Sequence, residues 1–263
     1  MSATILIVAS LLTAQGNAYT ETFTRANDHY KTGDYSGAIQ AFEQLVSEQA
    51  FHAAVFYNLG NAYYRAGKLA PAIANYERAL QLDPGFDSAR QNLAHCVSET
   101  QQRLARPLPP DWEQSLLFWH YHLPSSVTRW LALAFWLAFW ITLAIRQFRP
   151  ARYVQGVAAV TAILALAFGA SAWAKSSTGT LAVAADEAVP VRYGTDLNQT
   201  VRFELHEGDR VTVDRRERGW ARVKTAGGET GWTPDSSLIF VGPPYEPTTP
   251  KSAQDPPQSG NTK

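Results

Sequence analysis

Cysteine is almost missing from this 263-residue chain, and Cys96 is the single one. One thiol forms no intrachain disulfide and supplies no multi-cysteine zinc site. Net charge is missing as well, with 23 Lys and Arg against 23 Asp and Glu. Phosphate binding needs a basic excess, so neutrality argues against a nucleic-acid partner. There is no glycine-rich phosphate loop, no nucleophile elbow and no pair of carboxylates in an apolar setting. The expectation is a chain that is not an enzyme, with no catalytic residue, no cofactor and no metal.

Apolar residues are present but unevenly spread, in three runs. The first, "ATILIVASLLTA" (3–14), is too short to span a bilayer, which takes about 20 apolar residues. Small residues at Gly16 and Ala18 follow it at the spacing a signal peptidase accepts, so residues 1–18 read as a signal peptide. No Lys or Arg precedes Ile5, and an uncleaved anchor is the alternative. The other two runs, 127–145 and 154–174, are near membrane length and almost free of charge. The joining loop 146–153 carries Arg146, Arg149 and Arg152. Short positive loops stay in the cytoplasm, which predicts a two-pass hairpin in the inner membrane. Both flanking parts then face the periplasmic side, the side the signal peptide also predicts. The aromatic piece "FWHYH" within the linker 106–126 holds His120 and His122. It reads as an interfacial belt with Trp112, Trp119, Tyr121 and Trp130 rather than as a metal site. Ala158, Ala162, Ala165 and Gly169 form a small-residue face suited to helix contact.

The region 19–105 is helical in pattern and repeats itself. Gly60, Tyr63, Ala72, Tyr76, Ala79 and Pro84 recur 34 residues earlier as Ala26, His29, Ala38, Phe42, Leu45 and Ala50. These positions and that period resemble the tetratricopeptide repeat, here twice, at 19–52 and 53–86. The resemblance implies paired helices stacked side by side. Gly33 and Gly67 end the first helix of each pair, and Pro84 stops the last. Ala89, Leu93 and Val97 mark one face of a capping helix within 87–105, with Asp87 as its N-cap. The groove along the first helices would be lined by Asn27, Tyr30, Lys31, Asn58, Asn61, Tyr64 and Arg65. Such a surface suits protein or peptide partners. The asparagines also fit the general repeat consensus and read equally as scaffold.

Past 179 the texture changes to short alternating strands separated by turns such as "HEGD" and "AGGET". "VRYG", "LHEGDRV", "GWARV" and "TGWTPDSSL" resemble the bacterial SH3-like domain over 179–241. That implies a small all-β barrel which binds peptides or cell-wall peptidoglycan. Tyr193, Trp220, Trp232 and Pro234 are the surface candidates, although a barrel this small could use either tryptophan as its plug. The remainder, 242–263, is rich in Pro, Ser and Gln and reads as a disordered tail.

The order of signal, repeats, membrane hairpin and SH3-like domain resembles the BatE-type proteins of the bacterial aerotolerance (Bat) operon. The resemblance implies a non-enzymatic envelope scaffold in an aerotolerance or stress complex. It also implies partners of the von Willebrand A-domain membrane class and a MoxR-type ATPase.

Overall fold

The computed structural model describes residues 18–101, 119–120, 123–148, 152–177, 179–243 and Tyr245. The signal segment, most of the 106–126 linker (with Trp112, Tyr121 and His122), Arg149 and the tail beyond 245 lie outside the described residues. The chain forms two units. The larger combines residues up to Leu108 with those from Gly179 onward, and the smaller spans Pro109–Thr178.

Five helices open the larger unit: α1 (18–31), α2 (Tyr35–Ser47), α3 (Ala53–Arg65), α4 (Leu69–Leu82) and α5 (Asp87–Glu99). Local chemistry sets their ends. The Asp34 carboxylate accepts from the Gly37 amide at 2.9 Å and caps α2. Gly33 and Gly67 take φ of 82° and 74° just after α1 and α3, where a left-handed residue closes the last turn. The cap of α5 departs from expectation. Phe86 occupies the N-cap, and Asp87 is the first helical residue, bonded to Arg90.

Aromatic and small residues fill the space between the helices. Phe42, Leu45, Phe56, Leu59, Tyr63, Ile73 and Tyr76 are all essentially inaccessible in one continuous core. A Cβ on Gly60 would lie 2.8 Å from the Tyr76 ring, so glycine is required for that approach. The Tyr76 hydroxyl still reaches a partner, donating to Asn61 Oδ1 at 2.7 Å.

Seven antiparallel strands complete this unit: β1 (Thr180–Ala184), β2 (Val189–Arg192), β3 (Val201–Leu205), β4 (Arg210–Glu217), β5 (Trp220–Lys224), β6 (Thr230–Pro234) and β7 (Leu238–Phe240). Their order is β3-β2-β6-β5-β4-β1-β7. The expected barrel is not closed: β3 and β7 are the two edges of an open sheet. Alternation explains which strand goes where. In β1, Ala182 and Ala184 face the sheet's own core with Val189, Val211 and Val223. Leu181 and Val183, on its other face, join the helical core together with Ile239 and Val241. A strand apolar on both faces is buried on both faces.

That second face rests on α4. Every residue of α4 from Ala70 to Ala79 is buried, including Asn75, Glu77 and Arg78. Arg210 Nη1 on β4 donates to Glu77 Oε1 at 2.9 Å, and Arg78 Nη2 donates to the Phe240 carbonyl at 2.8 Å. Ala70 N at the start of α4 donates to Glu207 Oε1 at 3.1 Å, so the "HEGD" turn supplies a cap that Lys68 does not. Tyr245, in a segment expected to be disordered, packs its ring 5.0 Å from those of Phe51 and Phe56.

The smaller unit contains α6 (Ser125–Phe148) and α7 (Arg152–Ser177). Phe135 stacks on Phe168 at 5.5 Å, and His120 Nδ1 meets Ser171 Oγ at 2.8 Å. Ala158 is buried, whereas Gly169 faces open space among the described residues. Segments 126–148 and 153–174 are long and apolar enough to cross a membrane. Trp136, Trp140, Ile141, Ile163 and Leu166 point away from the pair and are exposed.

Gly60→Leu should destabilise the larger unit by about 1–3 kcal/mol, because the added side chain must displace the Tyr76 ring. A denaturation midpoint equal to that of the wild type would show that this contact is not tight.

Candidate functional site

The groove follows α1, α3 and α5, the helices that repeat at the same phase. Asn27 and Asn61 are 34 residues apart in sequence, as are Asn58 and Asn92. The structure joins these positions across neighbouring helices. Asn58 Nδ2 lies 3.5 Å from Asn27 Oδ1, and Asn92 Nδ2 donates to Asn61 Oδ1 at 2.8 Å. Asn27 also donates to the Phe23 carbonyl at 2.9 Å. Asn27 is thus tied to its own helix backbone, and Asn61 and Asn92 to each other across helices. Asn92 carries the same period but was missed, because α5 read as a cap rather than as a continuation of the repeat phase.

The more open groove positions form two polar groups. In the first, Arg65 Nε and Nη2 donate to the Tyr35 hydroxyl at 3.1 and 2.9 Å. The Tyr30 ring meets that of Tyr35 edge-on at 5.6 Å. In the second, the Tyr64 hydroxyl donates to Glu99 Oε1 at 2.9 Å and lies 2.9 Å from His95 Nε2. A phenol has one proton, so with Glu99 accepting it, His95 must donate from Nε2. The bond to Glu99, together with some loss of solvent, holds the Tyr64 phenol above the ordinary tyrosine range. Lys31 pairs with Asp28 at 3.3 Å on the exposed side of α1 and is not joined to either group. Of the sequence candidates, then, the structure places Tyr30 and Arg65 together around Tyr35, and Tyr64 with residues of α5.

Strand register sorts the candidates on the sheet. Trp220 opposes Pro234, and Trp232 opposes both Arg222 and Arg192. Trp220, Arg222, Trp232 and Pro234 therefore share one face, and Ala221, Val223 and Thr233 share the other. Tyr193 is 63% exposed, with the Arg202 guanidinium over its ring at 5.4 Å. Trp232 is half-buried. Trp220, expected at the surface, is only 6% exposed, although it shares the face of Arg222 and not that of the core residues Ala221 and Val223. Its accessible edge lines a hollow of about 500 Å³ with Thr195, Glu217 and Arg218.

Electrostatics single out two further groups. Burial raises the Asp209 carboxyl. Burial also pushes the Cys96 thiol up to about 12, and the nearby Glu99 charge adds to this. Among the described residues, no group of three or more His, Cys, Asp or Glu could hold a metal ion.

The raised thiol has a sign that can be tested. The fold favours the neutral form, so its contribution is complete below about 9, the unfolded value, and is lost as pH rises toward about 12. Thermal midpoints measured between pH 9 and 12 should fall less steeply for Cys96→Ala than for the wild type. Equal slopes would place the thiol in a more solvated site.

No curated protein matches the chain. The family model of the tetratricopeptide repeat matches residues 23–85, which lie across the end-to-end run of α1 to α4. With the helical repeats described above, this identifies a chain that contains tetratricopeptide repeats, an interaction module for protein partners.

Proposed function

We propose that the chain is a membrane-anchored, non-enzymatic scaffold that holds a protein partner in the groove of its repeats on the periplasmic side. The observation that carries this reading is the docking of the sheet on α4. Residues before and after the apolar pair belong to one unit. A chain that crosses a bilayer between them must return to the side it left, which favours two crossings. The apolar side chains exposed on α6 and α7 form more surface than a soluble monomer leaves in water, and lipid is their natural cover. The positive loop then faces the cytoplasm.

The groove is the surface left for a partner. The outer face of α4 is covered by the sheet, while Tyr30, Tyr64, Arg65 and His95 stay at least partly accessible on α1, α3 and α5, with Tyr35 at the start of α2 beside them. The domain order supports a BatE-type protein in an aerotolerance or envelope-stress complex, with von Willebrand A-domain proteins and a MoxR-type ATPase as its partners. A second reading is favoured by the hollow beside Trp220, where Arg218 and Thr195 flank an aromatic wall. Through it the SH3-like sheet would bind cell wall or a peptide.

Reporter fusions after Glu99, Phe148 and Tyr245 should read outside, inside, outside. Partners recovered with the full chain should be lost when Tyr30, Tyr64 and Arg65 are changed together to alanine. Retention by that triple variant, together with loss on Trp220→Ala, would move the function to the sheet.

A further inference from the structure

The turn between β3 and β4 touches two helix ends at once. Glu207 caps the start of α4, as described, and the next residue meets the end of α5. Gly208 adopts φ +84°, and a Cβ there would fall 2.7 Å from Thr100 Cγ2 and 2.8 Å from Ile73 Cδ1. The turn is held firmly in place. Gly208 N donates to the Ala184 carbonyl at 3.0 Å, and Ala184 N donates to the Asp209 carbonyl at 2.9 Å. His206 N donates to Asp209 Oδ2 at 2.8 Å.

Thr100 is the residue that ends α5. Its hydroxyl and amide both donate to the Val97 carbonyl, at 2.8 and 3.3 Å, and it is only 6% exposed. Among the described residues, the other contacts of that end are the partly buried Val97 and the bonds of His95 and Glu99 to Tyr64. Of α5, only Ala89, Leu93 and Cys96 are buried, and a helix terminus held by few contacts is the first part to fray. Glu99, the last helical residue, and His95, one turn earlier, are the two partners of the Tyr64 hydroxyl in the groove.

We infer that Gly208 and Thr100 are positioning residues for the groove: the docked turn fixes the last turn of α5, and with it the pair of side chains that hold Tyr64. The surface formed by α4 and the end of α5 is thus an interaction surface whose partner is the chain's own sheet. Releasing the sheet takes apart one wall of the groove without touching any groove residue. The inference rests on the groove reading above, but its test uses no partner, so either can fail alone.

The single thiol makes the test direct. Cys96 lies on α5 at 1% exposure, so its labelling rate reports how often α5 leaves its seat. In the full chain in detergent micelles, Gly208→Val forces Thr100 and Ile73 aside. Labelling by 5,5′-dithiobis(2-nitrobenzoate) should accelerate at least tenfold, and amides of residues 97–100 should exchange faster. The Tyr64 phenol should titrate at lower pH than in the wild type, because its bond to Glu99 is gone. A general loss of packing would not produce that last change selectively.

The inference is overturned if exchange at 238–241 shows the sheet released while Cys96 labelling stays within twofold of wild type. It is equally overturned if Tyr64 titrates unchanged in the released form. Should Gly208→Val leave the sheet docked or fail to fold, Arg210→Glu supplies the released form by setting a second carboxylate against Glu77, and the same comparison decides.

Discussion

A carboxylate and two guanidiniums buried between α4 and the sheet hold the larger unit in its arrangement. Glu77, Arg78 and Arg210 are all at most 8% exposed. Removing such groups from water costs several kcal/mol each, even after relaxation. The cost is offset in part by the contacts these groups make: Arg210 with Glu77, and Arg78 with the Phe240 carbonyl. Arg78 also donates to Asn75 Oδ1 at 3.3 Å and lies over the Phe56 ring at 5.8 Å. A buried ion pair adds little net stability over an apolar contact of equal size. Its effect is on register. A strand slipped by one residue exchanges its two faces, and on β7 that slip would turn Ile239 out of the helical core. It would also take the Phe240 carbonyl from Arg78, leaving a buried charge without that acceptor.

The same contacts bind parts of the chain that are far apart in sequence. The pairing of Arg78 with Phe240 spans 162 positions, and that of Glu77 with Arg210 spans 133. Contacts this distant in sequence form late, after the cost of closing the intervening loop is met. Before those contacts form, Glu77 and Arg78 are charged groups that water can solvate, which apolar replacements would not be.

Much of the helical part was legible because its information is local and periodic. The 34-residue spacing, the closing glycines and the apolar stripes each follow from one or two turns of helix. The strands were legible as alternation, and the turns as glycine and acidic clusters. What the sequence hid was the meeting of the two parts. "NYERAL" reads as a helix with a solvated Glu-Arg pair, and nothing within those six residues says that a sheet will cover them. The available signal lay elsewhere, in "TLAVA": a strand with Leu181 and Val183 on one face and Ala182 and Ala184 on the other needs cover on both. The closed barrel expected from the SH3-like pieces would have left the outer of those faces to solvent. An open sheet instead lays β1 and β7 against α4. Tyr245 was hidden for a similar reason, since a single aromatic in a proline-rich stretch has no pattern and gains its place from Phe51, in the connection before α3, and Phe56 on α3.

The groove shows a corresponding division between frame and surface. In the Asn27–Asn58 and Asn61–Asn92 pairs, Asn27 bonds the Phe23 carbonyl and Asn61 Oδ1 already accepts from Asn92 and Tyr76, so part of their bonding capacity is used within the frame. Tyr35, Arg65, Tyr64 and His95 are also bonded to one another, but at sites open to water, where breaking a hydrogen bond costs only the difference between two similar partners. Their present bonds hold the side chains in fixed rotamers, which lowers the entropy lost when a ligand displaces or joins them. Arg65 bonds the Tyr35 hydroxyl through Nε and Nη2, and the His95 ring lies beside the Glu99 charge. A partner that brings an acceptor to Arg65 and a donor or an apolar group to the Tyr64 end fits both groups. One carrying carboxylates at both ends would meet Glu99. On the groove reading proposed above, the selectivity of the surface would rest on α5, whose last turn meets the Gly208 turn of the sheet.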